Sequence, residues 1–336
     1  VSEFMLQQTQ VAAVIPYYNE WLRRFPDFAT VARAPESDIL HAWQGLGYYA
    51  RARNLHAVAK TVQHLHRGRF PRNLAAIGEL PGVGRYTANA VATFAFDQPV
   101  PIVETNTARV LARLFDFHSP IDRAAGREEL WKRARTLVPK YSARIYNSAL
   151  VDLGALICSP HKPKCAICPV KKFCRAKDPE TLPIKKARPS TVRLTEHHAF
   201  IARQKKILLQ QANHRWRGMW ILPPLPGRSA NQRPVYRSIF PFTNHRVALN
   251  VYALRRKKIA NPSQRWIRVD SLDSIPVPSP HRRAIAALVS KRPRCPGWCS
   301  TLGVEPSTLL CDNLFHVRQN VVAETKPMAT AARKKE

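Results

Sequence analysis

Four cysteines that lie close together in the sequence could hold a metal centre. The chain has seven cysteines, and four of them share the spacing C-x6-C-x2-C-x5-C: Cys158, Cys165, Cys168 and Cys174. Four thiolates on one compact loop can bind a [4Fe-4S] cluster or a zinc ion. Structural zinc sites more often use two separated C-x2-C pairs, and only one such pair occurs here. The spacing therefore favours iron–sulfur over zinc.

Two short loops have residue types that contact nucleic-acid phosphates. The segment SPHKPK lies between the first two of these cysteines and places Lys162 and Lys164 on a loop that a metal would fix. These lysines are either phosphate contacts or ordinary solvated residues. In LPGVG, Gly82 and Gly84 allow a tight turn directly before a helix, whose free N–H groups can face a phosphate. We interpret LPGVG as the hairpin of a DNA-binding helix-hairpin-helix.

One carboxylate lies in an apolar run at the start of the chain. Glu3 precedes Phe4, Met5 and Leu6 in VSEFMLQQTQV. From the residues alone, a glutamate on the solvent face of a helix is the simpler interpretation. An apolar neighbourhood can nevertheless raise the pKa of a carboxyl group by desolvation. The chemistry of Glu3 therefore depends on whether this run is buried.

The charge balance of the chain indicates a polyanionic partner. Lysine and arginine total 54 against 22 aspartate and glutamate residues, which gives a formal net charge of +32 in 336 residues. This excess is larger than solubility requires. The basic residues are interleaved with Tyr, Gly and Pro, so nucleic acid is favoured over a membrane surface. No apolar run is long enough to span a membrane and no signal peptide precedes the first motif, so an intracellular, cytoplasmic protein is expected.

The periodicity of the chain changes near residue 178 and predicts two domains. Residues 1–177 contain helical patterns such as LHAVAKTVQHLH, TANAVATFAF and IYNSALVDLGALIC. The polar, Pro-containing segment 178–195 is typical of a linker. Residues 196–290 contain short β-like runs between turns and predict a mixed α/β domain. The basic tail 291–336 has the composition of a disordered segment, and its cysteines are predicted to be free thiols: Cys295, Cys299 and Cys311.

Four motifs occur in an order that resembles the MutY-type adenine DNA glycosylases of the endonuclease III superfamily. They are VSEFMLQQTQV, GLGYYARARNL, LPGVG and the four-cysteine loop. The resemblance covers about residues 1–290 and implies a mostly α-helical helix-hairpin-helix domain with a [4Fe-4S] cluster, followed by a smaller α/β, Nudix-like domain. It implies a monomer associated with the nucleoid that removes adenine mispaired with 8-oxoguanine from double-stranded DNA during base excision repair. Family members have a further N-terminal segment, so the chain is expected to be truncated there.

The resemblance implies catalytic roles for three residues. Glu3 corresponds to the general acid that protonates N7 of the flipped-out adenine, which requires a neutral carboxyl group. Glu104, in ETNTARV, takes the place of an aspartate that stabilises the oxocarbenium-like sugar, so the charge is kept and one methylene is added. Tyr86 occupies the position where bifunctional relatives have a Schiff-base lysine, and a phenol cannot form that imine. A monofunctional glycosylase is therefore implied.

The resemblance also implies contacts with the DNA around the flipped base. Residues of two turns should fill, read or wedge the gap that the base leaves: Gln7, Gln8, Thr9, Leu46 and Tyr48. Three neighbours of this second turn are expected to be structural residues or phosphate contacts: Tyr49, Arg51 and Arg53.

The second domain contains a segment that is similar to the family's recognition loop for the oxidised base. This loop is usually Phe-Ser-His, and its counterpart in IFPFTNHRVAL is Phe242, Thr243 and Asn244. Thr243 keeps a hydroxyl, whereas Asn244 replaces the imidazole. His245, one position later, could compensate or could face solvent. The Glu-rich Nudix box, R-E-x-x-E-E, is missing, so pyrophosphate hydrolysis is not expected.

Three alternatives stay open. A thymine or uracil mismatch glycosylase of the same superfamily is disfavoured by Glu3, because removal of a pyrimidine does not need protonation at N7. A noncatalytic lesion-binding protein is suggested by the replacement of aspartate by Glu104. A zinc-binding DNA module would be colourless, whereas an iron–sulfur cluster absorbs visible light.

Overall fold

The first part of the chain is mostly α-helical. A computed structural model describes residues 1–187, 189–225, 233–255 and 261–290. The helices of this part are α1 (Ser2–Leu6), α2 (Val11–Arg24), α3 (Phe28–Arg33), α4 (Glu36–Ala42), α5 (Ala50–Leu65), α6 (Leu74–Gly78), α7 (Arg85–Phe96), α8 (Thr105–Leu114), α9 (Ala124–Leu137) and α10 (Ala143–Asp152). The predicted helices LHAVAKTVQHLH and TANAVATFAF correspond to α5 and α7, so the helical periodicity is confirmed there.

The turn between α6 and α7 has the geometry of a helix-hairpin-helix. Asn73 caps α6, because its Oδ1 accepts hydrogen bonds from the N–H groups of Ala75 at 2.8 Å and Ala76 at 3.3 Å. Gly82 has φ +72°, and a Cβ atom at this position would lie 2.1 Å from Nδ2 of Asn54. Only glycine fits both the conformation and the space. The sequence LPGVG therefore forms the predicted turn.

The four-cysteine loop follows directly on a distorted helix. After α10 the backbone continues as a π-helical turn, Leu153–Ile157, rather than as the continuous α-helix that the apolar periodicity suggests. A Cβ atom on Gly154 would lie 2.9 Å from Cβ of Asn106 in α8, so the glycine lets the two segments approach closely. Short 3-10 turns then occupy Cys165–Ile167 and Lys171–Phe173. The loop is thus packed against the start of α8.

The second part of the chain is a small α/β unit. Its strands and helix are β1 (Val192–Phe200), β2 (Ala202–Arg203), β3 (Lys206–Gln211), β4 (Trp220–Ile221), β5 (Tyr236–Phe242), β6 (His245–Ala253), β7 (Gln264–Arg268) and α11 (Ser279–Ser290). In one sheet β6 lies in the centre, parallel to β1 and antiparallel to β5. In the other sheet β3 pairs with β2, β4 and β7. The predicted succession of a helical and a smaller α/β part is confirmed.

One core joins the two parts. Buried residues of α1–α5 and of the β-sheets belong to the same apolar cluster, in which Trp21 and Trp43 are 1% and 0% exposed. Polar contacts cross the same boundary: Oε1 of Gln44 accepts a hydrogen bond from the N–H of Val277 at 2.8 Å. The side chain of Arg53 donates to the carbonyl of Arg217 at 3.1 Å. The α/β part therefore packs directly on the helices that carry the first motifs.

The structure differs from the predicted linker at its end. Strand β1 begins at Val192, inside the predicted linker 178–195, because Val192–Thr195 pair with β6. The predicted domain boundaries as such stay predictions. The tail 291–336, with its three cysteines, lies outside the described residues. Among the described helices, none has both the length and the apolar character needed to cross a membrane.

Candidate active site and cysteine loop

Glu3 is partly buried in α1. The helix is anchored by Phe4 and Met5, which are 5% and 0% exposed. Burial raises the pKa of Glu3 above its ordinary value of 4.5, and this effect outweighs the opposing hydrogen bond from Tyr86. A raised pKa increases the fraction of Glu3 that is protonated at neutral pH. The carboxyl group is therefore suited to donate a proton.

Tyr86 binds Glu3 and lies within the electrostatic influence of Glu104. Its hydroxyl, on α7, donates a hydrogen bond to Oε2 of Glu3 with an oxygen–oxygen distance of 3.4 Å. Burial and the negative charges of Glu3 and Glu104 together raise the pKa of Tyr86. Tyr86 therefore stays a neutral hydrogen-bond donor. The structure brings together the three predicted catalytic side chains from α1, α7 and the start of α8.

Glu104 is the N-cap of α8. Its Oε1 accepts hydrogen bonds from the N–H groups of Asn106 at 2.8 Å and Thr107 at 2.9 Å, and its own N–H donates to Oγ1 of Thr107 at 2.8 Å. The two sets of hydrogen bonds form a capping box between Glu104 and Thr107. The positive end of α8 also stabilises negative charge at this position. Since both backbone bonds go to Oε1, Oε2 can face a substrate.

A chain of hydrogen bonds links the Glu104 cap to the cysteine loop. Arg109 is 5% exposed, and its Nη2 donates to Oδ1 of Asn106 at 3.0 Å and to the carbonyl of Gly154. Its Nε donates to the carbonyl of Cys158 at 2.7 Å. The same arginine thus fixes the first turn of α8 and the start of the loop. Arg109 thus couples the position of the loop to the first turn of α8, which Glu104 caps.

The four predicted metal ligands line one cavity of about 270 Å³: Cys158, Cys165, Cys168 and Cys174. In the described residues, no three His, Cys, Asp or Glu side chains are arranged to hold a single metal ion. Ligands of one zinc ion would bring their sulfur atoms to about 3.8 Å from one another, given Zn–S bonds of ~2.3 Å and tetrahedral geometry. A [4Fe-4S] cluster needs four thiols around one cavity, since each thiolate then binds a different iron, and the four cysteines meet this condition.

A buried arginine beside this cavity also fits an anionic group. Arg113 is 2% exposed and has no carboxylate partner among the described residues. It donates hydrogen bonds to the carbonyls of Leu182 at 3.1 Å and Ser159 at 2.7 Å, and Nη1 lies 3.3 Å from Sγ of Cys158. A buried, unpaired guanidinium is costly. Thiolates around a cluster would supply the missing negative charge.

Arg51 joins the two turns that are predicted to enter the DNA gap. It is 6% exposed, and its guanidinium donates to the carbonyls of Phe4 at 3.0 Å and Met5 at 2.7 Å. On the other side it donates to the carbonyls of Leu46 at 3.0 Å and Gly47 at 3.2 Å. Arg51 is expected to be either a structural residue or a phosphate contact, and these contacts give it a structural role. Sequence reasoning missed its partners, since they are backbone groups far away in the chain.

Several predicted DNA contacts lie at turns with unusual backbone. Gln8, Tyr48 and Lys162 have φ of +58°, +48° and +47°, a backbone region that residues other than glycine rarely adopt. Such residues tend to collect at functional sites, where the surrounding structure holds them. Tyr48 is also 48% exposed, although it is a large aromatic residue. Gln7 is held differently, by a hydrogen bond from its Nε2 to Oγ1 of Thr87 at 3.2 Å.

The remaining predicted DNA contacts have varied surroundings. Leu46 is 7% exposed and belongs to the core, so a wedge role would require it to move or to act through its backbone. Oγ1 of Thr9 accepts a hydrogen bond from Arg51 at 3.2 Å. Gly84 lies at the N-terminus of α7 with open space around its Cα. Lys164 helps to line the cavity that the four cysteines share.

The predicted recognition loop is the tip of the β5–β6 hairpin. Phe242 pairs with His245, and Thr243 and Asn244 form a two-residue turn between them. Thr243 has φ +51°, and its hydroxyl lies 3.3 Å from Nδ1 of His245. The imidazole is therefore directed to the hydroxyl rather than only to solvent. Among the described residues, no hydrogen bond or ring contact joins this tip to the Glu3 carboxyl or to Tyr86.

The helical part of the chain is similar in sequence to known DNA repair proteins. Residues 1–136 match the model of the HhH-GPD superfamily base excision DNA repair protein. Over these residues the chain is similar to this superfamily.

Within it, the adenine DNA glycosylase of Buchnera aphidicola subsp. Baizongia pistaciae (strain Bp) is 43% identical over 176 residues, which are 52% of this chain and 50% of that protein. The adenine DNA glycosylase of Homo sapiens is 42% identical over 178 residues, 53% of this chain and 33% of that protein. This chain thus spans half or less of the length of these relatives. A solved structure of a thermostable thymine-DNA glycosylase is 35% identical, with 52% of this chain and 80% of that chain covered and a TM-score of 0.48. The resemblance to MutY-type adenine DNA glycosylases is confirmed.

Replacement of Arg51 by lysine should destabilise the helical part. One ammonium group cannot reach the carbonyls on both sides, so several buried acceptors would lose their donor. We expect the substitution Arg51→Lys to lower the free energy of unfolding by about 3 kcal/mol, measured by urea denaturation followed by far-ultraviolet circular dichroism. The matched control is Arg53→Lys, which changes the arginine whose side chain donates to the carbonyl of Arg217. Equal unfolding midpoints for the two variants would contradict this role of Arg51.

Proposed function

We propose that this protein is a monofunctional DNA glycosylase that removes adenine paired with 8-oxoguanine in double-stranded DNA. The observation that carries the proposal is the meeting of Glu3, Tyr86 and Glu104 in one site, with opposite environments for the two carboxylates. One carboxyl group is held in the protonated form more easily than usual. The other, Glu104, accepts two backbone hydrogen bonds at the N-terminus of α8. This pairing suits acid-assisted cleavage of a glycosidic bond.

The proposed reaction divides the work between these groups. Protonated Glu3 donates its proton to N7 of an adenine that has been turned out of the duplex, while Tyr86 orients the carboxyl group. The bond between C1′ and N9 then breaks, and its electron pair leaves with the base. Oε2 of Glu104 faces the positive charge that develops on the sugar. Addition of water at C1′ leaves an abasic site.

The charge and the turns of the chain support a DNA partner. With a formal net charge of +32, the protein would bind the phosphate backbone strongly and in a salt-dependent manner. The hairpin at Gly82 presents the N-terminus of α7, and the cysteine loop presents Lys162. The turns at Gln8 and Tyr48 would fill the gap of the flipped base. We propose that the protein acts as a monomer on chromosomal DNA and that the α/β part is a Nudix-like reader of the oxidised base.

We further propose that the cysteine loop holds a [4Fe-4S] cluster through its four thiolates. When bound, the cluster would supply a rigid, anionic anchor for the loop rather than chemistry at the base. Arg113 would balance its charge, and Arg109 would hold the loop on α8. The lysines between the first two cysteines would then be fixed in place for phosphate contact.

The cluster can be tested on the purified protein. We expect iron and inorganic sulfide in equal amounts and a brown colour, and we expect Cys168→Ser to lose both. Cys295→Ser, in the tail, is the matched control and should keep them. A colourless protein with zinc bound, or iron retained equally by both variants, would contradict the assignment.

The reaction can be tested on duplexes with adenine opposite 8-oxoguanine, guanine or thymine. We expect release of adenine to be fastest opposite 8-oxoguanine, with abasic sites revealed by alkali. Glu3→Gln keeps the shape of the side chain but has no acidic proton, so its rate should fall by about 10²- to 10⁴-fold.

The matched control is Glu20→Gln, which changes an exposed carboxylate on α2 that pairs with Arg23. It should leave the rate unchanged. Tight binding of the duplex without any release of adenine would move the assignment to a lesion-binding protein. Release of thymine or uracil instead would favour the mismatch glycosylases of the same superfamily.

A further inference from the structure

An arginine outside the predicted motifs lies against the base of the hairpin tip. Arg215 follows β3, and its Cζ lies 4.4 Å from the ring centroid of Phe242, the last residue of β5. It lies 5.3 Å from the ring centroid of Trp216. A guanidinium at such distances over an aromatic face is attracted to it, more strongly when water is excluded. Arg215 thus contacts the side chain that immediately precedes Thr243.

The same arginine is fixed from the opposite edge of the sheet. Nη1 of Arg215 donates to Oε1 of Glu196 in β1 at 2.7 Å, and the two side chains are only 20% and 26% exposed. The register aligns Glu196 with Leu249, and Phe242 with His245, so that both contact residues of Arg215 lie on one face of the sheet. The guanidinium therefore bridges β1 and β5 across the central strand.

Packed aromatic rings surround the ion pair of Arg215 and Glu196. Trp216 is 8% exposed and packs on Phe240 with ring centroids 5.9 Å apart and edge-on against His281 at 5.0 Å. The aromatic neighbours keep Arg215 over Phe242 rather than in solvent. Burial opposes the ionisation of Glu196, but its contact with His198 and the charge of Arg215 outweigh that effect and lower its pKa. The ion pair is thus maintained at neutral pH.

The hairpin tip beside Arg215 has an unfavourable backbone conformation at Thr243. Thr243 is β-branched and has φ +51°, which is unfavourable for such a residue. Its hydroxyl donates to the carbonyl of Phe242 at 2.7 Å, and the N–H of Val192 donates to the carbonyl of Asn244 at 3.0 Å. Phe242 is held from the sheet side, and the two residues of the turn itself, Thr243 and Asn244, are exposed.

We propose that Arg215, held by Glu196, is the positioning residue of the hairpin tip and thereby a determinant of the preference for an oxidised base opposite the adenine. The inference rests on the proposed function, since it names the part of the α/β unit that sets its base preference. Arg215 does not touch the reacting atoms. Its loss should therefore change discrimination between opposite bases rather than cleavage itself.

The experiment compares adenine opposite 8-oxoguanine with adenine opposite guanine. Single-turnover rates are measured for the native chain and for Arg215→Leu, Arg215→Lys and Glu196→Gln. Equilibrium binding of both duplexes is measured in parallel in the Glu3→Gln background, where binding does not depend on cleavage. The matched control is Arg265→Leu, which removes one exposed arginine from β7.

We expect Arg215→Leu to reduce the rate opposite 8-oxoguanine about tenfold and to leave the rate opposite guanine within about twofold. The binding preference for 8-oxoguanine should fall in parallel. Arg215→Lys keeps the charge but not the planar stack, so an intermediate loss is expected. Glu196→Gln should shift the ratio in the same direction by about threefold. Arg265→Leu should keep the ratio of the native chain.

The possible failures can be told apart. An unchanged ratio in Arg215→Leu, or an equal loss opposite both bases, would overturn the role of Arg215 while the native chain still releases adenine. If Arg215→Leu does not fold, unchanged ratios in Arg215→Lys and Glu196→Gln would overturn it instead. A native chain that releases no adenine, yet binds the 8-oxoguanine duplex in preference and loses this preference in Arg215→Leu, would end the proposed glycosylase function and support the inference.

Discussion

A single buried guanidinium joins the helix that carries Glu3 to a second turn of the candidate site. Arg51 donates to backbone carbonyls of α1 on one side and of the 46–47 turn on the other. Because the carbonyls at a helix end have no partners within the helix, these bonds replace the continuation of a very short α1. They fix the segment that carries Glu3 relative to the turn that carries Tyr48. The position of Glu3 thus depends on the hydrogen bonds of Arg51, a residue of α5.

The two carboxylates of the site lie in different surroundings. Glu3 lies beside buried apolar residues, and burial raises its pKa, whereas Glu104 caps the N-terminus of α8. Glutamate at position 104 also completes a capping box with Thr107. Its additional methylene is therefore accommodated by local structure rather than left to distort the site.

The sequence was most informative where a local constraint determines the residue. Gly82 has no alternative in its turn, and the periodicity of α5 and α7 follows from which face is buried. The resemblance to known motifs pointed to Glu3 and Glu104, but it could not show how Arg109 connects α8 with the cysteine loop. Contacts such as that of Arg215 with Glu196 join a turn residue to a strand residue nearly twenty positions away and have no periodic signal. They depend on the packing of the whole domain, which short patterns do not record.

The central claim is that burial turns Glu3 into the proton donor, and a pH–rate profile tests it most directly. Single-turnover release of adenine opposite 8-oxoguanine would be measured from acid to mildly alkaline pH. Since only the protonated form donates, the rate should fall about tenfold per pH unit above the pKa of Glu3. The midpoint should lie above 4.5, the ordinary value for this side chain. A rate independent of pH, a midpoint at or below 4.5, or an unchanged profile in Glu3→Gln would contradict the account.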